Sequence, residues 1–411
     1  MNEMTQKLVP STAASRIALL DIFRGFALLG IFMVNIRYMS SSVLHLDAFQ
    51  WMTQGNYNAI ATWIDEYFFD SKFFPIFSFL FGVGFGMQIN KMEEKGTFSN
   101  AFFLRRYFFL MLFGVFHVVF LWGGDVLILY ALAGFLVLLI RKIHVKYIFI
   151  GATLILLCPF YGHLLHYIDT FLVNHGYNSI VALHDYSYQD FLLIQQEGSF
   201  ADKINYRLHE YTVYYRNVEY FPTLLFMIFS GYIAGRFKFY NKIPETLKKL
   251  SLAAIASLIV ILTVRFIEAS YGHMADDSFK LYVIITKLKI IASIAQSFLY
   301  LYIISFLFKN NLLLKLISPL AYAGRMSLTN YIMQSVLGMF LFRGAFLGLY
   351  GKLGNAWLSV IALSAFILLI IGSKLWMKEF RYGPLEFIWR ELTYKTSLKF
   401  IKNGNNKQNK S

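Results

Sequence analysis

Apolar residues run along this chain in about ten blocks separated by short polar stretches. Each block approaches the roughly 20 residues that, at about 1.5 Å per residue, carry an α-helix across some 30 Å of hydrocarbon. The windows are residues 17–35, 73–90, 102–121, 126–140 and 147–165, then 222–235, 250–267, 281–307, 317–341 and 356–374. The expected fold is all-α: a polytopic transmembrane bundle of about ten spans over residues 17–377. Two intervening segments, 37–72 and 167–221, are too long for turns. Residues 185–194 of the second mix aromatic and acidic side chains as an interfacial helix does. Such segments either close over an outward-facing site as a lid or pack on the bundle as loops.

Composition strengthens the membrane reading. The 411 residues are 57% hydrophobic and 15% charged, against roughly 25% charged in soluble domains, and the mean hydropathy is +0.54. A net charge of +15 would suit a nucleic-acid partner, but its placement excludes one. With the N-terminus inside, Lys7, Arg16, Lys91, Lys95, Arg105, Arg106, Arg141, Lys142 and Lys146 are cytoplasmic. So are Arg236, Lys238, Lys242, Lys248, Lys249, Lys309, Lys315 and the run from Lys374 to Lys410. The opposite loops hold far fewer cations, among them Arg37, Lys72 and Arg343. This positive-inside bias puts both termini in the cytoplasm of a bacterial plasma or inner membrane. Residues 1–16 form a cytoplasmic lead, and 378–411 a basic tail that anchors on the membrane surface and ends in a disordered stretch, 403–411. No cleavage site follows the first span, so it is retained. A lone cysteine, Cys158, allows no intrachain disulfide, and no Cys/His spacing suggests a metal.

Ionisable residues inside spans are costly, about 2.5–3.5 kcal/mol at the centre on insertion scales, unless paired or hydrated. Asp21 and Arg24 lie three apart on one helical face and are expected to pair. That pair serves either function or helix locking. Asn35 follows on a similar face about three turns on, nearer the outer surface. His117 sits in the third span. After it Gly123 and Gly124 make a tight hairpin that presents Asp125 to the fourth helix, so His117 and Asp125 are a base and its orienter, or a core histidine and a helix cap. The ninth window carries Arg325, Ser327, Thr329, Asn330, Tyr331, Gln334 and Ser335, which must face polar partners or a water-filled cavity. Arg265, Lys287 and Lys289 are expected to snorkel.

At these residues the chain resembles the YeiB-like family of bacterial membrane proteins, domain of unknown function 418. The resemblance runs through RIALLDIFRGFALLGIFMVNI (16–36), DSKFFPIFSFLFGVGFGMQ (70–88), GVFHVVFLWGGDVLILYALAGF (114–135), AGRMSLTNYIMQS (323–335) and FRYGPLEFIWRELTY (380–394). Through its first helices that family is similar to the lysosomal heparan-glucosaminide N-acetyltransferase, which passes acetyl from cytosolic acetyl-CoA to an amino sugar across the membrane. The resemblance implies an acyltransferase using acyl-CoA, with Asn35 matching the Asn at the end of the first helix and His45 in the place of the histidine in the loop that follows. His117, inside the YeiB-like motif, rivals His45 as the base.

Such a transfer needs a basic mouth, a conduit and an outer base. Arg24, Arg105, Arg106 and Arg325 are candidates for the phosphates, since guanidinium binds phosphate bidentately. Asn330, Tyr331 and Gln334, with Asn35, are candidates for the conduit. His117 or His45 would deprotonate the acceptor, with Asp125 orienting the base and Asn35 or Tyr331 steadying the oxyanion. The expected partners are membrane lipids, a glycan or lipid acceptor on the outer side and, in assembly, a second copy in a homodimer. Two other classes stay open: a transporter or channel whose intramembrane charges line a path for a small anionic solute, and a non-catalytic lipid- or quinone-binding protein.

Overall fold

The computed structural model describes residues 18–42, 45–158, 171–172, 174–175, 186–216, 220–239, 243–272, 279–343 and 346–402. The predicted cytoplasmic lead 1–16, the end of the fifth window (159–165) and the predicted disordered stretch 403–411 lie outside them, as does much of the outer segment 167–221. The described residues form helices and no strand. They are α1 (Ala18–Ser40), α2 (Asn56–Ile64), α3 (Phe73–Glu94), α4 (Asn100–Phe116), α5 (Leu127–Ile140), α6 (Val145–Leu157), α7 (Tyr188–Gln196) and α8 (Phe200–Arg216). There follow α9 (Tyr220–Arg236), α10 (Ile243–Tyr271), α11 (Phe279–Lys309), α12 (Asn311–Ile317), α13 (Leu320–Arg325), α14 (Ser327–Phe342), α15 (Asn355–Glu379) and α16 (Pro384–Tyr394).

Among the described residues, six helical stretches are long and apolar enough to cross a membrane: 18–40, 56–94, 100–121, 250–271, 281–309 and 355–379. This is a helical membrane protein. The helices α5 and α6, with 14 and 13 residues, reach only about 20 Å. Central α1 packs against α3, α11, α13, α14 and α15, and Leu28, Phe32 and Ile36, four apart on one face, are wholly buried. By contrast α10 leaves Leu252, Ile259, Leu262 and Phe266 exposed, an apolar outer surface suited to lipid.

Without a strong hydrophobic drive between helices in lipid, close backbone packing holds them together. The seam of α3 with α9 is built on two glycine pairs four apart. A Cβ on Gly82 would strike the Ile228 carbonyl and one on Gly231 the Phe79 carbonyl; Cβ atoms on Gly86 and Gly235 would lie 2.5 Å from Tyr232 O and Val83 O. A second seam joins α1 to α13, where Gly25 faces the Leu320 carbonyl and Gly324 the Asp21 carbonyl.

Among the described residues helical continuity fails at three places whose freed backbone groups are met by side chains. Between α2 and α3 the chain winds a π-turn, Asp65–Phe69. Three donors from α11 serve the carbonyls there: Gln296 Nε2 to Tyr67 O (2.9 Å), Tyr300 OH to Phe68 O (2.9 Å) and Ser297 Oγ to Lys72 O (2.6 Å). A second π-turn, His117–Leu121, closes α4, and Arg343 Nη2 donates to Leu121 O at 2.7 Å. The third corrects the expected ninth span: residues 317–341 are not one helix. Pro319 has no N–H to continue from α12, and Met326 (φ −113°, ψ 39°) separates α13 from α14. Of the positively charged residues expected to snorkel, Arg265 and Lys289 each reach Glu268 at 2.8 Å, and Lys287 Nζ donates to Leu156 O at 3.1 Å.

Gly231→Leu is expected to lower the apparent melting temperature of the purified protein by several degrees or more, since overpacking costs about 1–3 kcal/mol and here meets backbone. Gly151→Ala, in a helix with open space around it, should match or exceed wild type by up to about 1 kcal/mol. Thermal unfolding of both variants checks the pair; equal melting would remove the seam from its role.

Candidate functional site

The break at Met326 exposes the first N–H groups of α14, and one carboxylate takes them. Glu386 Oε1 accepts from Leu328 N (2.7 Å) and Thr329 N (3.1 Å), while Oε2 accepts from Thr329 Oγ1 (2.6 Å). The same hydroxyl accepts from Leu385 N at 3.1 Å. Two helix N-termini, α14 and α16, thus meet at Glu386, whose carboxyl oxygens take the first N–H groups of α14. Gly383 is required for this approach, because a Cβ would strike Glu386 Oε2. Pro384 starts α16 at a position that needs no N–H. Trp389 ties α16 to α4, donating from Nε1 to Arg106 O (2.8 Å) while its ring lies 3.9 Å beneath the Arg106 guanidinium.

Above this junction opens a cavity of about 880 Å³ lined by cations: Arg24, Lys91, Lys95, Arg106, Lys238, Arg325 and Arg390, with Asp21, Glu94 and Glu386 as the acidic members. The expected Asp21–Arg24 pair forms at 2.9 Å. A second cavity, of about 1120 Å³, opens beside the other end of α1 and takes in Asn35, Tyr38, Asp70, Arg265, Glu268 and Lys289. Its floor is the roof of the first. Ile31, Val126, Tyr130 and Tyr331 line both. These four residues lie where a cationic cavity beside one end of α1 meets a mixed-charge cavity beside the other.

Beside these four residues, and lining neither cavity, lies a buried polar cluster. His117 Nδ1 is 3.0 Å from Asp125 Oδ1, and His117 Nε2 is 2.7 Å from Ser335 Oγ. The other Asp125 oxygen accepts from Ile128 N at 2.9 Å, capping α5. His117 and Asp125 are wholly buried and Ser335 is 1% exposed. Tyr331 bridges cluster and cavities: its ring centroid is 5.1 Å from that of His117, and its hydroxyl donates to Gly124 O at 3.3 Å.

The remaining candidates divide. Arg24, Arg106 and Arg325 share the cationic cavity with Tyr331, and Asn35 lines the other, which Tyr331 also reaches. Arg105 lines neither; its Nε donates to Thr393 O at 3.2 Å and helps dock α16. Asn330 and Gln334 line neither and are interhelical staples, Asn330 Nδ2 donating to Ala323 O (3.0 Å) and Ser373 Oγ (2.9 Å), and Gln334 Nε2 to Leu28 O (3.3 Å). His45 also lines neither. It sits against the rings of Tyr188 and Phe191, and burial lowers its pKa. Around it α7 and α8 cover this end, with Tyr206 OH 2.7 Å from Ser42 Oγ. Glu386, Tyr130 and Arg390 were not singled out from sequence; the Gly-Pro-x-Glu start of α16 is the signal that marks Glu386. Among the described residues no group of three or more His, Cys, Asp or Glu converges as a metal site.

Comparison with known proteins finds similarity to uncharacterised relatives. The family model described as protein of unknown function DUF418 matches residues 234–396. The uncharacterised protein YxaH of Bacillus subtilis (strain 168) is 28% identical over 406 residues, 94% of this chain and 96% of its own. E. coli (strain K12) YeiB is 35% identical over 83 residues, 20% of this chain and 21% of its own. Over residues 234–396 the chain is similar to the DUF418 family. An uncharacterized 39.9 kDa protein of Bacillus acidopullulyticus, from the amylase 3' region, is likewise 28% identical, over 94% of this chain and 96% of its own. No solved structure matches. The DUF418 match takes in the broken helix α13–α14, the Glu386 junction and Ser335, whereas His117 and Asp125 lie before it.

Burial pushes the Glu386 carboxyl above its ordinary 4.5. A raised folded value means that its contribution to stability is fully present below the ordinary value and is lost as pH rises through the raised one. Relative to Glu386→Gln, which does not titrate, the wild-type melting temperature should therefore fall as pH is raised from 4.5 through that window. Glu386→Ala, which strands two N–H groups and a hydroxyl, should destabilise at every pH by about 1–3 kcal/mol for each group left unsatisfied. Melting curves across pH measure both.

Proposed function

We propose that the protein is a transmembrane acyltransferase that moves an acyl group from cytosolic acyl-CoA to an acceptor at the outer face. The observation that carries this reading is the pair of cavities sharing one wall of Ile31, Val126, Tyr130 and Tyr331. The cationic cavity is placed on the cytoplasmic side by the positive-inside rule. Its guanidinium groups, Arg24, Arg106 and Arg325, suit the phosphates of a CoA donor, and the lining continues inward past Leu28, Phe81 and Leu110 as the thioester arm requires. The far cavity receives the acceptor, an extracytoplasmic glycan or lipid bearing an amine or hydroxyl, next to Asn35.

At the wall the thioester C–S bond breaks, the acyl–N or acyl–O bond forms, and the CoA thiol leaves with the acceptor's proton. Of the two candidate histidines, His117 suits the base role, being one side chain behind the wall and oriented by Asp125. His45 belongs to the aromatic packing of the outer cap. Both cavities being open together favours group transfer through a fixed wall over alternating access, in which one side is closed while the other is open. A transporter for an anionic solute is the second reading, favoured by the same cationic lining.

Purified protein supplied with radiolabelled acetyl-CoA and membrane lipids or amino sugars is expected to release CoA and label the acceptor. Arg106→Ala should raise KM for the donor about tenfold with kcat little changed, because it removes binding that ground and transition states share. Absence of turnover with short and long acyl donors, alongside uptake of an anionic solute into proteoliposomes without any donor, would favour the transporter.

A further inference from the structure

Serines within these helices ordinarily return their hydroxyl to the carbonyl one turn back. Ser297 does so to Ser293 O, Ser305 to Leu301 O and Ser359 to Asn355 O, at 2.6–2.9 Å. Ser335 is different: its Oγ lies 2.7 Å from His117 Nε2, on a separate helix, and the far nitrogen of that ring is 3.0 Å from Asp125 Oδ1. Asp125 is itself held by Ile128 N through its other oxygen. The Nδ1–Oδ1 approach is close but off the line of a hydrogen bond; in the tautomer with its proton on Nδ1, the ring turns the Nε2 lone pair to the serine. Nucleophile, base and orienter in this order are the arrangement that activates a hydroxyl for acyl transfer on unrelated folds.

We propose that Ser335, His117 and Asp125 form a buried triad in which Ser335 Oγ carries the acyl group as an ester between donor and acceptor. This deepens the acyltransferase reading and rests on it. Ser335 Oγ attacks the thioester carbonyl and its proton passes to His117 Nε2. The C–S bond breaks, and the thiol leaves with that proton. The acceptor then attacks the ester, gives its proton to His117, and the acyl–O bond to Ser335 breaks as Oγ takes the proton back. Tyr331 is a positioning residue. It sits one turn before Ser335, lines both cavities and covers the His117 ring, so its displacement admits the acyl carbon from either side.

The test uses the full chain in detergent with a fluorescent fluorophosphonate, which phosphonylates an activated serine and releases fluoride. Labelling is expected at Ser335, identified by peptide mass. It should fall at least about 100-fold in Ser335→Ala and His117→Gln, the usual weight of a general base, and rise in Tyr331→Ala. As a check that does not depend on that reagent, Ser335→Cys on a Cys158→Ser background should be alkylated by iodoacetamide at pH 6, well below the ordinary thiol pKa of about 8.5. No labelling in either wild type or Tyr331→Ala, with a thiol that reacts only above pH 8, would overturn the triad. Wild-type acyl transfer by Ser335→Ala overturns it too, while leaving the acyltransferase standing. Labelled Ser335 without transfer from any acyl-CoA supports the triad and rejects the donor.

Discussion

Backbone amides and carbonyls at membrane depth have no water to turn to, so a helix that breaks there must find partners for the groups it frees. This protein breaks its helices at three described places, and each repair comes from another part of the chain. Gln296, Ser297 and Tyr300 serve the π-turn before α3, Arg343 the π-turn after α4, and Glu386 the start of α14. The first π-turn borders the far cavity through Tyr67 and Phe69, the second begins at His117, and the third break borders the cationic cavity through Ser327 and Leu328. Irregular backbone is concentrated where the bundle is hollow or polar. The repairs bind distant segments, so the same contacts that satisfy the backbone fix the relative placement of α4, α14 and α16.

The two glycine seams complement these repairs. Where α3 meets α9 and α1 meets α13, backbones touch without side chains between them, so the seams are short-range and intolerant of volume. Between the seams lie large buried rings, Tyr107, Tyr130 and Phe32 among them. The cavities form where neither mode fills the space.

Much of this was legible in the sequence. Hydropathy located a helix in each of the ten windows, and the three-residue spacing of Asp21 and Arg24 foretold their pair. The offset of Asn35 along α1 also foretold that it would sit at another depth, in the second cavity. The break at Met326 was not legible, because residues 317–341 are apolar enough to read as one helix and the break is stabilised by Glu386, 60 residues away in sequence from Met326. A longer separation, 218 residues, hid Ser335 from His117. Asn330 and Gln334 looked like a conduit because polarity marks a buried partner as readily as a cavity, and here the partners are Ala323, Ser373 and Leu28. Which histidine approaches the wall depended on tertiary placement, and only His117 does.

The shared wall has an electrical consequence. A membrane potential falls across low-dielectric material, and polar vestibules entering from both sides leave little of that material beyond Ile31, Val126, Tyr130 and Tyr331. A potential of 100 mV, worth about 2.3 kcal/mol for each elementary charge that crosses it, would then drop over less than the full ~30 Å of hydrocarbon. A charge displaced through that layer would do electrical work, whereas a neutral group would not.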